Sequence, residues 1–138
     1  MAPFTYRLRV YIEDTDLGGI VYYVNYLKFM ERARTELLRE LGFEQTKLRS
    51  AGVIFVVHSL DSRYLKPAQL DDELNVETVI EQASAATLAF RQNVARLDGT
   101  LLCSACVKVA TVAADSLKPT RTPRPLVEAL APYLPSNN

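Results

Sequence analysis

Residues 87–112, "TLAFRQNVARLDGTLLCSACVKVATV", decide the fold. Leu88, Phe90, Gln92 and Val94 recur at the period of two that a half-buried strand requires. Asp98-Gly99 is the dipeptide that favours a tight hairpin turn. Beyond it, "TLLCSACVKVATV" (100–112) is a long apolar run with Lys108 as its only charge. Extended segments joined by so short a turn pair antiparallel, because a parallel pair needs a crossover of about a dozen residues.

Working outward, the pattern repeats. "ELNVETVI" (73–80) alternates Leu74, Val76, Thr78 and Ile80, and "VIFVVHSLDSRYL" (53–65) is rich in β-branched residues and stopped by Pro67. No helical stretch separates these four strands. Residues 4–13 predict a fifth, with Phe4, Tyr6, Leu8, Val10 and Ile12 on one face. From about Tyr22 to Leu41 the period changes to that of a helix. Tyr23, Tyr26, Leu27, Met30, Ala33, Leu37, Leu38 and Leu41 form its apolar face, opposite Lys28, Arg32, Thr35 and Arg39. Gly42 stands where a left-handed cap is wanted, and Arg39 lies in the last turn, as the helix dipole favours. Residues 44–50 predict a short polar helix, and "LVEALAPYL" (126–134) a C-terminal one after several prolines. The class is therefore α+β, with one long helix lying across an antiparallel sheet. The last strand is apolar on both faces, which calls for a second cover, expected from another subunit.

Composition bounds the rest. At 138 residues the chain is long enough for one domain, 1–138, with its own core. Acids and bases balance at 16 each, which argues against a nucleic-acid binder and favours self-association. No apolar run is long enough to span a membrane, and arginines interrupt the first apolar segment where a secretory signal is continuous. Cys103 and Cys106, three apart on one strand, point to opposite faces. They are expected as free thiols in a reducing cytoplasm, since a redox pair needs a helix N-terminus that is not signalled here.

The chemistry gathers in "EDTDLGGIVYY" (13–23). A calcium loop beginning at Asp14 would put Gly18 and Asn25 at two ligand positions, so no metal is expected. A polar turn accounts for Asp14 and Thr15 but leaves Gly18-Gly19 and the bulky residues after them unexplained. A catalytic reading covers all of them. Glycines let backbone approach a ligand, and the helix start at Tyr22–Val24 presents unpaired N–H groups to an oxyanion. A carboxylate just upstream could then act as general base or nucleophile.

The stretch "RVYIEDTDLGGIVYYVNYLKFMERARTELLRELGF" (9–43) resembles the hotdog-fold acyl-CoA thioesterases of the 4-hydroxybenzoyl-CoA thioesterase family. It is most similar to the bacterial branch associated with the Tol–Pal envelope system. "YLKPAQLDDEL" (64–74) and "SLKPTRTP" (116–123) carry the same likeness. The resemblance implies a hotdog fold, an antiparallel sheet wrapped round one long central helix, and subunits paired as dimers or dimers of dimers. It implies hydrolysis of an acyl-CoA substrate without metal or separate cofactor, at a site shared between chains. The catalytic aspartate maps to Asp16 and the oxyanion N–H to Tyr23, with Gly18, Gly19, Val21 and Tyr22 bordering the thioester. Several members of the Tol–Pal branch carry His where this chain has Tyr23. That departure argues against an Asp–His relay, because a phenol with pKa near 10 rarely exchanges protons at pH 7. A thioesterase for acyl groups on carrier protein and a non-catalytic acyl-CoA-binding scaffold remain the rivals.

Four further expectations concern side chains elsewhere. Arg34 falls within the apolar stripe and needs a partner, for which Glu31 is placed. His58, the single histidine, shares a face with Ile54, Val56 and Leu60 by period-two counting and is a candidate to line the site across an interface. Lys66 and Lys118 lead the candidates for the CoA phosphates. Behind them stand Arg63, Arg121 and Arg124.

Overall fold

Eight regular elements follow one another in the computed structural model, which describes residues 3–135. They are β1 (Phe4–Arg9), α1 (Val24–Glu40), α2 (Gln45–Ser50), β2 (Val53–Tyr64), β3 (Glu73–Ala83), β4 (Thr87–Arg96), β5 (Leu101–Ala113) and α3 (Arg124–Leu130). The strands form one antiparallel sheet in the order β1-β3-β4-β5-β2, with α1 against its inner face. This is the hotdog arrangement.

The Asp98-Gly99 hairpin joins β4 to β5 as expected. Gly99 takes φ 94° and the Asp98 carboxylate accepts the Thr100 N–H at 2.8 Å, which holds that carboxyl below its usual range. Along β4 and β5, Leu88, Phe90 and Val94 face Val109, Val107 and Cys103 in register, and all six are buried. From α1 come Tyr26, Phe29, Met30, Ala33, Leu37 and Leu38, each buried in the same core. Burial on this scale, at roughly 1.5–3 kcal/mol per large apolar side chain, is what clamps the helix to the sheet. Cys103 lies in that core, where desolvation pushes its thiol up to about 11, and Cys106 turns to the other face; both are free.

Three expectations change at this level. The first strand ends at Arg9 rather than Glu13. Val10 turns away to exchange backbone hydrogen bonds with Asp71 and Asp72, and Ile12–Asp14 forms a 3₁₀ turn that leaves Ile12 74% exposed. Arg34 forms no ion pair with Glu31 among the described residues; its Nη1 donates to Gln92 Oε1 at 2.9 Å. Gln92 is itself buried, donating to the Met30 carbonyl and to Thr78 Oγ1, so the sheet supplies the partner that the helix does not.

The third change concerns His58. The register of β2 against β5 slips between Val57 and Ser59, leaving His58 as an extra residue in a bulge. Val57 and Leu60, three apart, consequently line the same groove beside α1, while Ile54 and Val56 lie on the opposite face. Period-two counting fails across such an insertion. His58 is exposed on the strand at the sheet's free edge and has no register partner on β5.

Candidate active site

The loop between β1 and α1 is built by its own polar side chains. Asp14 is buried, its Oδ2 accepting the Tyr11 N–H at 2.9 Å, and Thr15 Oγ1 donates to the Ile12 carbonyl. These two acid-stretch residues shape the turn, as short polar side chains do. The chain then doubles back on itself. Asp16 N–H donates to the Ile20 carbonyl and Gly19 N–H to the Asp16 carbonyl, while bridges pair Thr15 with Val21 and Ile20 with Gln69.

Asp16 itself is exposed. Its Oδ1 accepts the Gly18 N–H at 2.8 Å, which fixes the carboxylate in an Asx turn and leaves Oδ2 without a partner among the described residues. A side chain at Gly18 would meet Oδ1 at 3.3 Å. Gly19 has open space around it but takes φ +79°. The two glycines therefore shape the seat of the carboxylate.

Helix α1 starts beside this loop. The Tyr22 N–H donates to the Asp14 carbonyl and the Asn25 side-chain amide donates to the same oxygen, at 3.0 and 2.8 Å. Neither the Tyr23 nor the Val24 N–H meets an acceptor among the described residues. No side chain caps the helix and no acid occupies its first turn, so the positive end of the helix dipole is left for something else. Around it Tyr22 and Tyr23 are exposed, and Tyr23 meets Tyr64 of β2 edge-on with ring centres 5.5 Å apart. Tyr64 also leans on Tyr26, forming an aromatic wall from the helix start toward the core.

A second layer holds this arrangement. Tyr26 Oη accepts the Ala68 N–H, the Ala68 carbonyl accepts the Val21 N–H, and Asp72 accepts from Gln69 N–H and Arg96. Burial raises the Tyr26 phenol, and the Ala68 hydrogen bond opposes that rise. Sequence reasoning missed Asn25, Tyr26 and Tyr64 as supports. The available signal was polar atoms on the apolar stripe of a helix and at the end of a strand.

Val21, expected beside the substrate, is turned inward. It is 3% exposed, its side chain packs in the core, and its N–H is taken by Ala68. Lys66 and Lys118 are both exposed but far apart. One follows β2 beside Leu102, the other is bonded to Ala113, so the length of β5 separates them by about 36 Å at a strand rise of ~3.3 Å per residue. A groove of about 290 Å³ runs from Val24 along α1 to Arg34, walled on the other side by Val57, Leu60 and Val107.

Known proteins share this architecture. A family model described as "Thioesterase superfamily" matches residues 18–103. The chain is 42% identical over 124 residues to the acyl-CoA thioester hydrolase YbgC of Escherichia coli O6:H1, covering 90% of this chain and 92% of that one. It is 46% identical over 122 residues to the acyl-CoA thioesterase YbgC of Haemophilus influenzae, covering 88% and 89%. Among solved structures, a 1,4-dihydroxy-2-naphthoyl-CoA thioesterase from Synechocystis superposes with TM-score 0.87 at 25% identity, over 93% of this chain and 95% of that one. A probable thioesterase from Bartonella henselae does so with TM-score 0.83 at 35% identity, over 88% and 100%. With the Gly18-Gly19 pair, α1 and the strands β2 to β4 in the matched segment, the chain belongs to the thioesterase superfamily.

Proposed function

We propose that this protein hydrolyses acyl-CoA thioesters to the free acid and coenzyme A, with Asp16 and the start of α1 as the reacting machinery. One observation carries the reading. A carboxylate held by a single oxygen stands on a loop tied to a helix start whose Tyr23 and Val24 N–H groups have no protein acceptor among the described residues. The names of the YbgC relatives agree with it.

In this reading the thioester carbonyl oxygen points at the Tyr23 N–H, and the carbon faces Asp16 Oδ2. Charge developing on the oxygen is met by a donor already in place, the kind of arrangement worth about 3–4 kcal/mol of barrier. Asp16 either draws a proton from an attacking water or attacks directly, forming an anhydride that water then opens. In both routes the C–S bond breaks, the thiolate leaves as CoA, and one water is consumed. The Tyr23 backbone does the work that a His side chain at this position would not need to share.

A second copy of the chain completes the site. β2 is an edge strand with Val56, Val57, Leu60 and Tyr64 exposed, a free edge suited to antiparallel pairing with itself. Such pairing would bring the partner's Lys118 toward Lys66, giving the CoA phosphates cations that one chain holds apart.

Asp16→Asn tests the assignment. Thiol release from a panel of acyl-CoA substrates is expected to fall at least about a thousandfold, with the circular dichroism spectrum and oligomer mass unchanged. Retained turnover would remove Asp16 from the mechanism. Single turnover in heavy-oxygen water separates the two routes, since only the anhydride leaves label in the Asp16 carboxylate.

A further inference from the structure

The groove beside α1 ends in an unusual way. Its walls are apolar apart from Lys28, Glu31 and Arg34 on the helix side, and Arg34 is the lining residue of α1 farthest from the reacting groups. From Val24 to Arg34 is ten residues, about 15 Å along the helix axis at 1.5 Å each, and an arginine side chain leans back toward the helix start. An acyl group whose carbonyl sits at the Tyr23 N–H and whose tail follows the groove therefore runs toward the guanidinium.

Arg34 is held still there. Nη1 is fixed by Gln92, the planar group lies over the Phe90 ring at 6.0 Å, and Gln92 is itself fixed by Met30 and Thr78. The rest of its donors are free. Among the described residues the only sealed side-chain oxygen or nitrogen without a partner is Asn93 Oδ1, so the remaining Arg34 N–H groups stay open to the groove they line. Burial pulls the guanidinium below the usual arginine range and the nearby Glu31 charge partly restores it, leaving a cation short of solvent and of hydrogen bonds.

We propose that Arg34 is a specificity-determining residue that selects acyl groups bearing a carboxylate at the far end over hydrocarbon chains of the same length. The inference rests on the thioesterase reading of the Asp16 site. A methyl terminus reaching Arg34 strips its water and returns nothing, whereas a carboxylate accepts two parallel N–H bonds from the fork. The occupant is argued from continuity with the helix start, because the same groove wall contains Val24, whose N–H is free.

The test compares methyl-ended acyl-CoA esters with CoA monothioesters of straight-chain dicarboxylic acids, matched in length over a series. Two readouts are taken, kcat/KM by thiol release and Kd by titration calorimetry. The wild-type preference for the carboxylate series is expected to peak at one length, at roughly 10- to 100-fold, as a charged hydrogen-bond pair supplies. Arg34→Met is expected to bring the ratio near one at every length and to improve the methyl-ended substrates that reach position 34.

A flat wild-type ratio across the series overturns the proposal, and so does a peak that survives in R34M. If R34M does not fold, the wild-type series decides alone. If R34M instead breaks the oligomer and the wild-type ratio is flat, Arg34 pairs with a second copy and the proposal fails. Should no acyl-CoA be turned over, the thioesterase reading fails, while the ratio of dissociation constants still judges Arg34.

Discussion

Gly18 and Gly19 stand side by side and are glycine for different reasons. At Gly18 the conformation is ordinary, but a Cβ would press on Asp16 Oδ1 at 3.3 Å. At Gly19 there is room for a side chain and a φ of +79° that disfavours one. Gly18→Ala is therefore expected to lower kcat about tenfold or more, through a displaced carboxylate, with little loss of thermal stability. Gly19→Ala is expected to cost about 1–2 kcal/mol in chemical denaturation. If instead Gly18→Ala is as active as the parent, the Asx turn does not set the position of Asp16. At this scale much was legible. Asp14 and Thr15 read as turn-makers, as their bonds to Tyr11 and Ile12 have it, and Tyr23 as the position that begins the helix, whereas the turn bond of Asp16 to the Gly18 N–H had no separate signal. The inward turn of the Val21 side chain was not legible, because a valine bordering a loop reads the same whether it faces outward or into a core; its burial in the core cluster shows which.

Elements matter through what ties them together. The segment from Pro67 to Asp72 looks like a plain connection between β2 and β3, yet it holds the site loop from below through Ala68 and Val10. Tyr26 supplies the acceptor for the buried Ala68 N–H. Tyr26→Phe removes that acceptor and is expected to destabilise the protein by about 1–3 kcal/mol, the penalty of an unpaired buried donor. The loss should be accompanied by a smaller fall in kcat/KM; an unchanged denaturation midpoint would mean that the segment is anchored elsewhere. Element type and order were legible, because alternation and helical periodicity are strong over long segments. Element ends were not. β1 stops four residues early because its partners are in the turn before β3, and the partner of Arg34 sits 58 residues away on β4. Neither contact has a local signal.

The whole molecule leaves one long strand edge open. β2 forms ladder bonds with β5 on one side only, and its exposed Val56 lies near the middle of the strand. If two chains pair along that edge, a two-fold axis sets Val56 close to its own copy. Val56→Lys then opposes two like charges, and light scattering is expected to report a mass near 15.5 kDa with turnover lost in parallel. A full-size oligomer with normal activity would place the pairing surface elsewhere. Sequence reading expects an extra cover from the apolar last strand but does not say which edge is free, since strand order follows from pairings far apart in the chain. The bulge at His58 carries a consequence for inheritance. Losing that single codon would leave a regular ladder, because Val57, Ser59 and Leu60 already stand opposite the successive residues Val109, Lys108 and Val107 and would keep their faces. Leu60 would stay in the groove and Tyr64 against Tyr23. A lineage could thus shed the residue without reversing the strand beyond it, so position 58 is where the length of β2 is free to drift by one.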